Sequence, residues 1–136
     1  MYPDDLVMPM KHELTDKGFE DLTTTEAVNQ AIKKEGTTLL MINSVCGCAA
    51  GAARPGAVFS LTGDKKPENL ITVFDGVDKE AVDEARKFLA PFPPSSPCIA
   101  LFKDGELVHM LERHHIEGNP AGAIAANLQG AYKEYC

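Results

Sequence analysis

The segment LLMINSVCGCAAG, residues 39–51, determines how the rest of the chain must be arranged. Its first four residues form an apolar run, and its last part is rich in alanine and glycine. A short apolar run before a tight turn and small residues is typical of a buried strand that leads into a helix. Cys46 and Cys48 lie in the turn, where the first N–H groups of the helix have no partner within it. These N–H groups and the helix dipole favour a negative charge, so we expect a cysteine thiolate here.

Helical and strand patterns alternate along the chain. Apolar runs predict strands at 38–45, 70–74, 98–102 and 107–111, and Asp104-Gly105 predicts a two-residue hairpin between the last two. Because helical segments separate the earlier strands, those strands should be parallel neighbours. The predicted fold is α/β, with a mixed central sheet of about four strands flanked by helices on both faces. Residues 1–136 are predicted to form one domain, with residues 1–36 as an N-terminal helical extension.

Composition and charge narrow the functional classes. The chain has 136 residues, a formal net charge of −7 and a pI near 5.0, which argues against nucleic acid or an anionic membrane as a partner. No apolar run approaches the roughly 20 residues of a membrane helix, and the first residues lack signal-peptide features. We therefore expect a cytoplasmic protein, a monomer or a weak dimer. In a reducing compartment the four cysteines are more typical of catalysis or metal binding than of structural disulfides.

Several motifs together resemble the bacilliredoxin family, whose members have a thioredoxin-like fold. They are NSVCGCAAG at residues 43–51 with Arg54-Pro55, PSSP at 94–97, Arg113-His114, IEG at 116–118 and a final Cys136. The resemblance implies a thiol–disulfide oxidoreductase that removes bacillithiol, a low-molecular-weight thiol, from mixed disulfides on proteins. Cys46 would be the attacking cysteine, and the peptide bond before Pro97 would be cis and face the thiols. The implied partners are S-thiolated client proteins, with bacillithiol or an analogue as co-substrate and no tightly bound cofactor.

The residues themselves suggest how such a site would work. Cys46 comes first in the turn and is the likelier attacker, and Gly47 separates it from Cys48. Arg54 would stabilise the Cys46 thiolate if a helix kinked by Pro55 returned its guanidinium toward the turn. The backbone of Ser96 would be free to pair with an extended substrate. One intervening residue makes a strained, easily reduced disulfide, which suits exchange and weak isomerase or reductase activity.

The sequence leaves open other interpretations of the two turn cysteines and the roles of the other two. The two cysteines of the turn could be small buried hydrophobes. They could instead bind Zn²⁺ or an Fe–S cluster, with further ligands from Cys98, Cys136, His114 and His115. Cys98 opens a buried strand, which favours a structural role over a redox one, yet it is a candidate for a second resolving thiol. Cys136 is a candidate for a resolving or regulatory thiol, or an incidental exposed one.

Overall fold

Five strands form one sheet in the order β1–β3–β2–β4–β5, in a computed structural model that describes residues 2–136. The strands are β1 (Glu20–Asp21), β2 (Thr37–Asn43), β3 (Asn69–Phe74), β4 (Cys98–Lys103) and β5 (Glu106–Leu111). The helices are α1 (Asp4–Thr15), α2 (Thr25–Ile32), α3 (Arg54–Ser60), α4 (Lys79–Lys87), α5 (Arg113–Ile116) and α6 (Ala121–Tyr135). β3 is parallel to β1 and β2, whereas β4 is antiparallel to β2 and β5. The predicted mixed sheet is confirmed, with one strand more than the four expected.

The additional strand, β1, lies within residues 1–36, which therefore contain two helices and an edge strand. Glu20 and Asp21 pair with Ile71 and Thr72 of β3. Two acidic residues show no apolar alternation, so the sequence pattern contains no signal for this strand.

Side chains of β2 point alternately to two hydrophobic cores, which explains why helices cover both faces of the sheet. Leu39 and Met41 pack in the core formed with α1, α3 and α6. Leu40 and Ile42 pack in the core formed with α2 and α4. All seven residues of β2 are buried. This burial on both sides fixes the position at which the strand releases the chain into the cysteine turn.

The starts of α2 and α4 are held in different ways. The Thr24 hydroxyl caps α2, accepting a hydrogen bond from the Ala27 N–H at 3.2 Å. Asp78 precedes α4, but its carboxylate makes no capping hydrogen bond. It accepts a hydrogen bond from Lys11 Nζ at 2.9 Å, and that ammonium also binds Asp21 at 3.1 Å. The buried lysine of α1 therefore links the N-terminal segment to the sheet and to α4.

The helix after the cysteines changes its hydrogen-bond pattern just before the proline. A π-helical turn spans Ala49–Ala53, and α3 begins at Arg54, which places Pro55 near its start. Gly56 then lies against α6, so close that a Cβ atom would be 2.6 Å from Cβ of Ile124. No helix within residues 2–136 is long and apolar enough to cross a membrane.

Candidate active site

The turn after β2 is held by side chains of the strand end. The Ser44 N–H donates to Asn43 Oδ1 at 2.8 Å, and the Cys46 N–H donates to Ser44 Oγ at 3.1 Å. The Cys46 carbonyl accepts the first helical hydrogen bonds, from the Ala49 N–H at 3.0 Å and the Ala50 N–H at 3.3 Å. Cys46 thus occupies the capping position of the helix, where a side chain normally accepts an orphan backbone N–H.

The Cys46 sulfur fills the role of that capping acceptor. The Cys48 N–H donates to Cys46 Sγ at 3.4 Å, and both cysteines are partly exposed. The pKa of Cys46 lies below its ordinary value, mainly because the Cys48 thiol and then the Cys48 N–H donate hydrogen bonds to the thiolate. The charge of Arg113 and the Ala49 N–H lower this pKa further, while burial opposes them. The expected thiolate position therefore has a defined electrostatic basis.

Cys48 has the opposite electrostatic environment. Burial raises the pKa of its thiol, and the hydrogen bond to Cys46 and the negative charge of that neighbour raise it further. The two thiols of the turn consequently differ in role, with Cys46 the better nucleophile and Cys48 a proton-bearing donor.

Gly47, between the two thiols, is exposed at the surface. A Cβ atom built there meets nothing within 4 Å. Packing therefore does not require glycine at this position.

Arg54 binds the end of β2, and no hydrogen bond joins its guanidinium to either thiol in the described chain. Its side chain is 1% exposed, and Nη1 donates to Asn43 Oδ1 and to the Ser44 carbonyl, each at 2.9 Å. Nε lies 3.1 Å from Glu13 Oε1, without a hydrogen bond of good geometry in the described chain. These contacts brace the strand end, instead of the thiolate contact that the sequence suggested.

The peptide bond between Ser96 and Pro97 is cis, as predicted, and that between Ala90 and Pro91, which was not anticipated, is also cis. Ser96 Oγ donates to Asp75 Oδ2 at 2.5 Å. Arg113 Nη1 donates to the Ser96 carbonyl at 3.5 Å in an exposed contact. A carbonyl oxygen has a second lone pair, so pairing of the Ser96 backbone with a substrate strand stays a prediction.

Arg113 is the cation whose charge acts on both thiols, and the sequence motif named it without assigning it that role. Ile42 pairs with Cys98, and Leu111 pairs with Ile99. Continuing both registers by antiparallel pairing places Pro97 beside the end of β2, with Arg113 opposite it. The hairpin register was the available signal, but a β-bulge between Leu101 and Phe102 shifts it by one residue. Counting back from Asp104-Gly105 would have chosen Glu112 instead.

The other two thiols do not belong to this site. Cys98 is 1% exposed in β4, and burial raises its pKa to about 12. Cys136 is exposed, and its thiol lies near Thr37, the first residue of β2. The seven residues of β2 therefore separate it from Cys46 by about 20 Å. The burial of Cys98 and the distance of Cys136 favour Cys48 as the resolving thiol.

The two histidines form a separate cluster with Glu112. One ligand atom from each of Glu112, His114 and His115 lies within 4.8 Å of the others. The Glu112 carboxylate and the His115 ring also cap α5 reciprocally, with the Glu112 N–H donating to His115 Nδ1 at 3.0 Å. Neither thiol of the turn is part of this cluster, so the Cys-x-Cys metal site predicted as an alternative does not gain these ligands here.

Comparison with known proteins agrees with this site. A family model described as "Disulphide isomerase" matches residues 2–136. The chain is 60% identical over 134 residues to a bacilliredoxin of Cytophaga hutchinsonii, covering 98% of this chain and 99% of that protein. It is 54% identical over 136 residues to a bacilliredoxin of Halalkalibacterium halodurans, covering 99% of this chain and 94% of that protein.

Solved structures support the fold. A putative oxidoreductase with a thioredoxin fold superimposes with a TM-score of 0.59 at 15% identity, covering 77% of this chain and 89% of that one. Mitochondrial thioredoxin 3 of Saccharomyces cerevisiae superimposes with a TM-score of 0.56 at 17% identity, covering 90% of this chain and 98% of that one. The thioredoxin-like fold implied by the sequence motifs is thus confirmed.

Proposed function

The chain belongs to the bacilliredoxin family of thioredoxin-fold thiol–disulfide oxidoreductases, and from this premise we propose that it removes bacillithiol or a similar low-molecular-weight thiol from mixed disulfides on client proteins, with Cys46 as the nucleophile. One observation carries the proposal. A partly exposed sulfur caps a helix start, accepts the Cys48 N–H at 3.4 Å, and has a lowered pKa beside a thiol with a raised one. This arrangement supplies one ready thiolate and one protonated partner.

The first step forms an adduct on the enzyme. The Cys46 thiolate attacks the small-thiol sulfur of the mixed disulfide, a new S–S bond forms, and the client sulfur leaves as a thiolate that takes a proton from solvent. Since the better leaving thiol has the lower pKa, clients with acidic cysteines should react fastest. The exposed Gly47 leaves room for an extended client segment beside the sulfur.

The second step either returns Cys46 to its reduced form or converts the enzyme to an internal disulfide. Either a free small thiolate attacks the small-thiol sulfur of the adduct, forming a low-molecular-weight disulfide and releasing the Cys46 thiolate, or the Cys48 thiolate attacks Cys46 Sγ, forming a Cys46–Cys48 disulfide and releasing the small thiolate. Two causes of the raised Cys48 pKa, the hydrogen bond to Cys46 and its negative charge, end when Cys46 becomes part of a disulfide. Adduct formation should therefore lower the pKa of Cys48 and activate its thiol. The Cys46–Cys48 disulfide closes a small, strained ring, which should give the enzyme weak isomerase or reductase activity as a side reaction.

An intact-mass transfer assay tests the proposal. The reduced chain is mixed with a purified protein bearing bacillithiol on one cysteine, and both masses are followed with time. We expect the client to lose the adduct mass and wild type to gain it transiently at Cys46. Cys46→Ala should gain nothing, whereas Cys48→Ala should accumulate the adduct because the internal second step is blocked.

Two controls separate this reaction from other chemistry. Cys136→Ala leaves the turn unchanged and should transfer as wild type does. Running the assay with bacillithiol, cysteine and coenzyme A adducts on the same client ranks the small thiols. Absence of transfer from every adduct, with Cys46 reduced and alkylatable, would refute the proposed function.

A further inference from the structure

We propose that Arg113 and Glu117 form an anion subsite beside Cys46, in which the Arg113 guanidinium exchanges its pairing with Glu117 for a carboxylate of the reacting small thiol. The substrate class is therefore disulfides of carboxylate-bearing low-molecular-weight thiols. This inference rests on the proposed function and deepens it, since it states which feature of the small thiol the site recognises.

Sheet topology brings the subsite to the thiols. The site residues follow or precede three adjacent strands, β2, β4 and β5, at one edge of the sheet. Cys46 comes after β2, Pro97 comes before β4, and Arg113 comes after β5. Adjacent strands lie about 4.8 Å apart, so an arginine two strands from β2 is long enough to reach toward the cysteine turn.

The contacts of Arg113 point its guanidinium back across the cis-proline loop. Its backbone N–H donates to Ser95 Oγ at 3.3 Å, and Nη1 donates to the Ser96 carbonyl at 3.5 Å. Nε and Nη2 both lie 3.0 Å from the same oxygen of Glu117, Oε2. The loop is also held from its other side by Arg86 Nη1, which donates to the Ser95 carbonyl at 3.0 Å.

The ion pair with Glu117 is suited to exchange. The side chains of Arg113 and Glu117 are 46% and 58% exposed, so water and solutes reach both. Exposed ion pairs contribute little to stability, so an incoming carboxylate competes with Glu117 at little cost. The planar guanidinium matches a carboxylate in a two-point contact.

Local charge at this site opposes the charge of the whole molecule. With a formal net charge of −7, the chain should repel anions on average. The charge of Arg113 acts to lower the pKa of both thiols. Any preference of Cys46 for anionic reagents must therefore arise from local positive potential, to which Arg113 and the helix start both contribute, and an Arg113 variant separates the two.

Alkylation with two reagents of different charge measures this cation directly. Iodoacetate and iodoacetamide attack the same thiolate, so their rate ratio at Cys46 cancels the thiolate fraction and leaves the effect of reagent charge. Rates are read by peptide mass spectrometry on the reduced, folded chain. A unit charge acting across about 7 Å of a water-like medium changes such a ratio about threefold.

The variants give opposite expectations. Arg113→Gln should lower the iodoacetate-to-iodoacetamide ratio at Cys46 about threefold, and Glu117→Gln should raise it, because the guanidinium is then unpaired. Lys87→Gln removes an exposed cation from the far end of α4 and should leave the ratio unchanged. The ratio at Cys136 serves as an internal control in every sample, since that thiol lies at the opposite end of β2. Added salt should lower the wild-type ratio toward that of Arg113→Gln.

Small disulfides extend the test to the reaction itself. The rate of adduct formation on Cys46 is compared for anionic dithiodiglycolate and neutral bis(hydroxyethyl) disulfide. The ratio of the anionic to the neutral rate should be higher in wild type than in Arg113→Gln. If neither Arg113→Gln nor Glu117→Gln changes the iodoacetate-to-iodoacetamide ratio at Cys46, the subsite is overturned. If Arg113→Gln does not fold, the ratios in Glu117→Gln and Arg113→Lys decide. If the small thiol is transferred from a client but the alkylation ratio does not depend on Arg113, this inference alone is refuted. If the ratio depends on Arg113 but no small thiol is transferred, the proposed function alone is refuted.

Discussion

Replacing Arg54 should damage the fold while leaving the charge at the thiols unchanged, which separates it from Arg113. In Arg54→Met the volume is nearly kept, but the Ser44 carbonyl loses its partner. Asn43 Oδ1 keeps the Ser44 N–H, and Glu13, whose side chain is 47% exposed, regains water. The remaining cost is one buried acceptor without a partner plus the loss of charge-assisted hydrogen bonds, together about 2 kcal/mol.

Truncation to alanine adds a cavity to that loss. Arg54→Ala removes most of a fully buried side chain, so the total loss should be about 4 kcal/mol. For a domain of this size, each kcal/mol corresponds to about 3–4 °C in Tm. We therefore expect Tm to fall by about 7 °C in Arg54→Met and by about 14 °C in Arg54→Ala.

Thermal unfolding monitored by circular dichroism measures these shifts, and charge-paired alkylation measures the site in the same samples. The iodoacetate-to-iodoacetamide ratio at Cys46 should match wild type in both Arg54 variants, because a positioning change alters both rates together. An unchanged Tm combined with a lowered ratio would refute the bracing role. It would instead restore Arg54 as the cation that acts on the thiolate.

Three further predictions follow from the packing and from the pKa shifts. Gly56→Ala should lower the free energy of unfolding by about 1–2 kcal/mol, since overpacking against Ile124 exceeds the gain in helix propensity; Gly51→Ala, whose Cβ meets nothing within 4 Å, is the matched control in urea unfolding. Cys98 should resist iodoacetamide in the folded chain and react only after denaturation, because burial raises its pKa to about 12; modification as fast as at Cys136 would contradict the buried position. Finally, the alkylation rate of Cys46 should reach its plateau at lower pH than that of Cys136, because the pKa of the first is lowered and that of the second is raised; coincident pH profiles in peptide mass spectrometry would contradict this order.

Strong periodic signals predicted most of the fold. The apolar runs of β2, β3 and β4 are buried strands, and Asp104-Gly105 forms the expected turn, with positive φ at both residues. β1 escaped prediction because two acidic residues at a sheet edge gain their order from pairing with β3, a tertiary effect. The position of the cysteine turn was predicted because the end of a buried strand, a small-residue turn and a helix start are all local features.

The sequence pattern indicated the wrong arginine as the cation near the thiols, because the direction of a side chain depends on residues that are distant in the sequence. A proline after the cysteines favours a kink, whereas the structure has a π-helical turn before Pro55 and an Arg54 side chain that binds the end of β2. Arg113 is brought to the thiols by a hairpin register that one β-bulge shifts by one residue. Neither the π-helical turn nor the bulge has a marker in the sequence, so the brace and the cation could be told apart only in three dimensions.

Ionisation of Cys46 is the property on which every step depends, and ultraviolet titration of the thiolate absorbance measures it directly. The folded, reduced chain is titrated upward from acidic pH beside Cys46→Ala and Cys48→Ala. A step of one thiolate per chain should appear below the pH at which an ordinary cysteine ionises, should be absent from Cys46→Ala, and should move to higher pH in Cys48→Ala, which lacks the thiol donor. A low step that persists in Cys46→Ala, or a wild-type chain without such a step, would contradict the account.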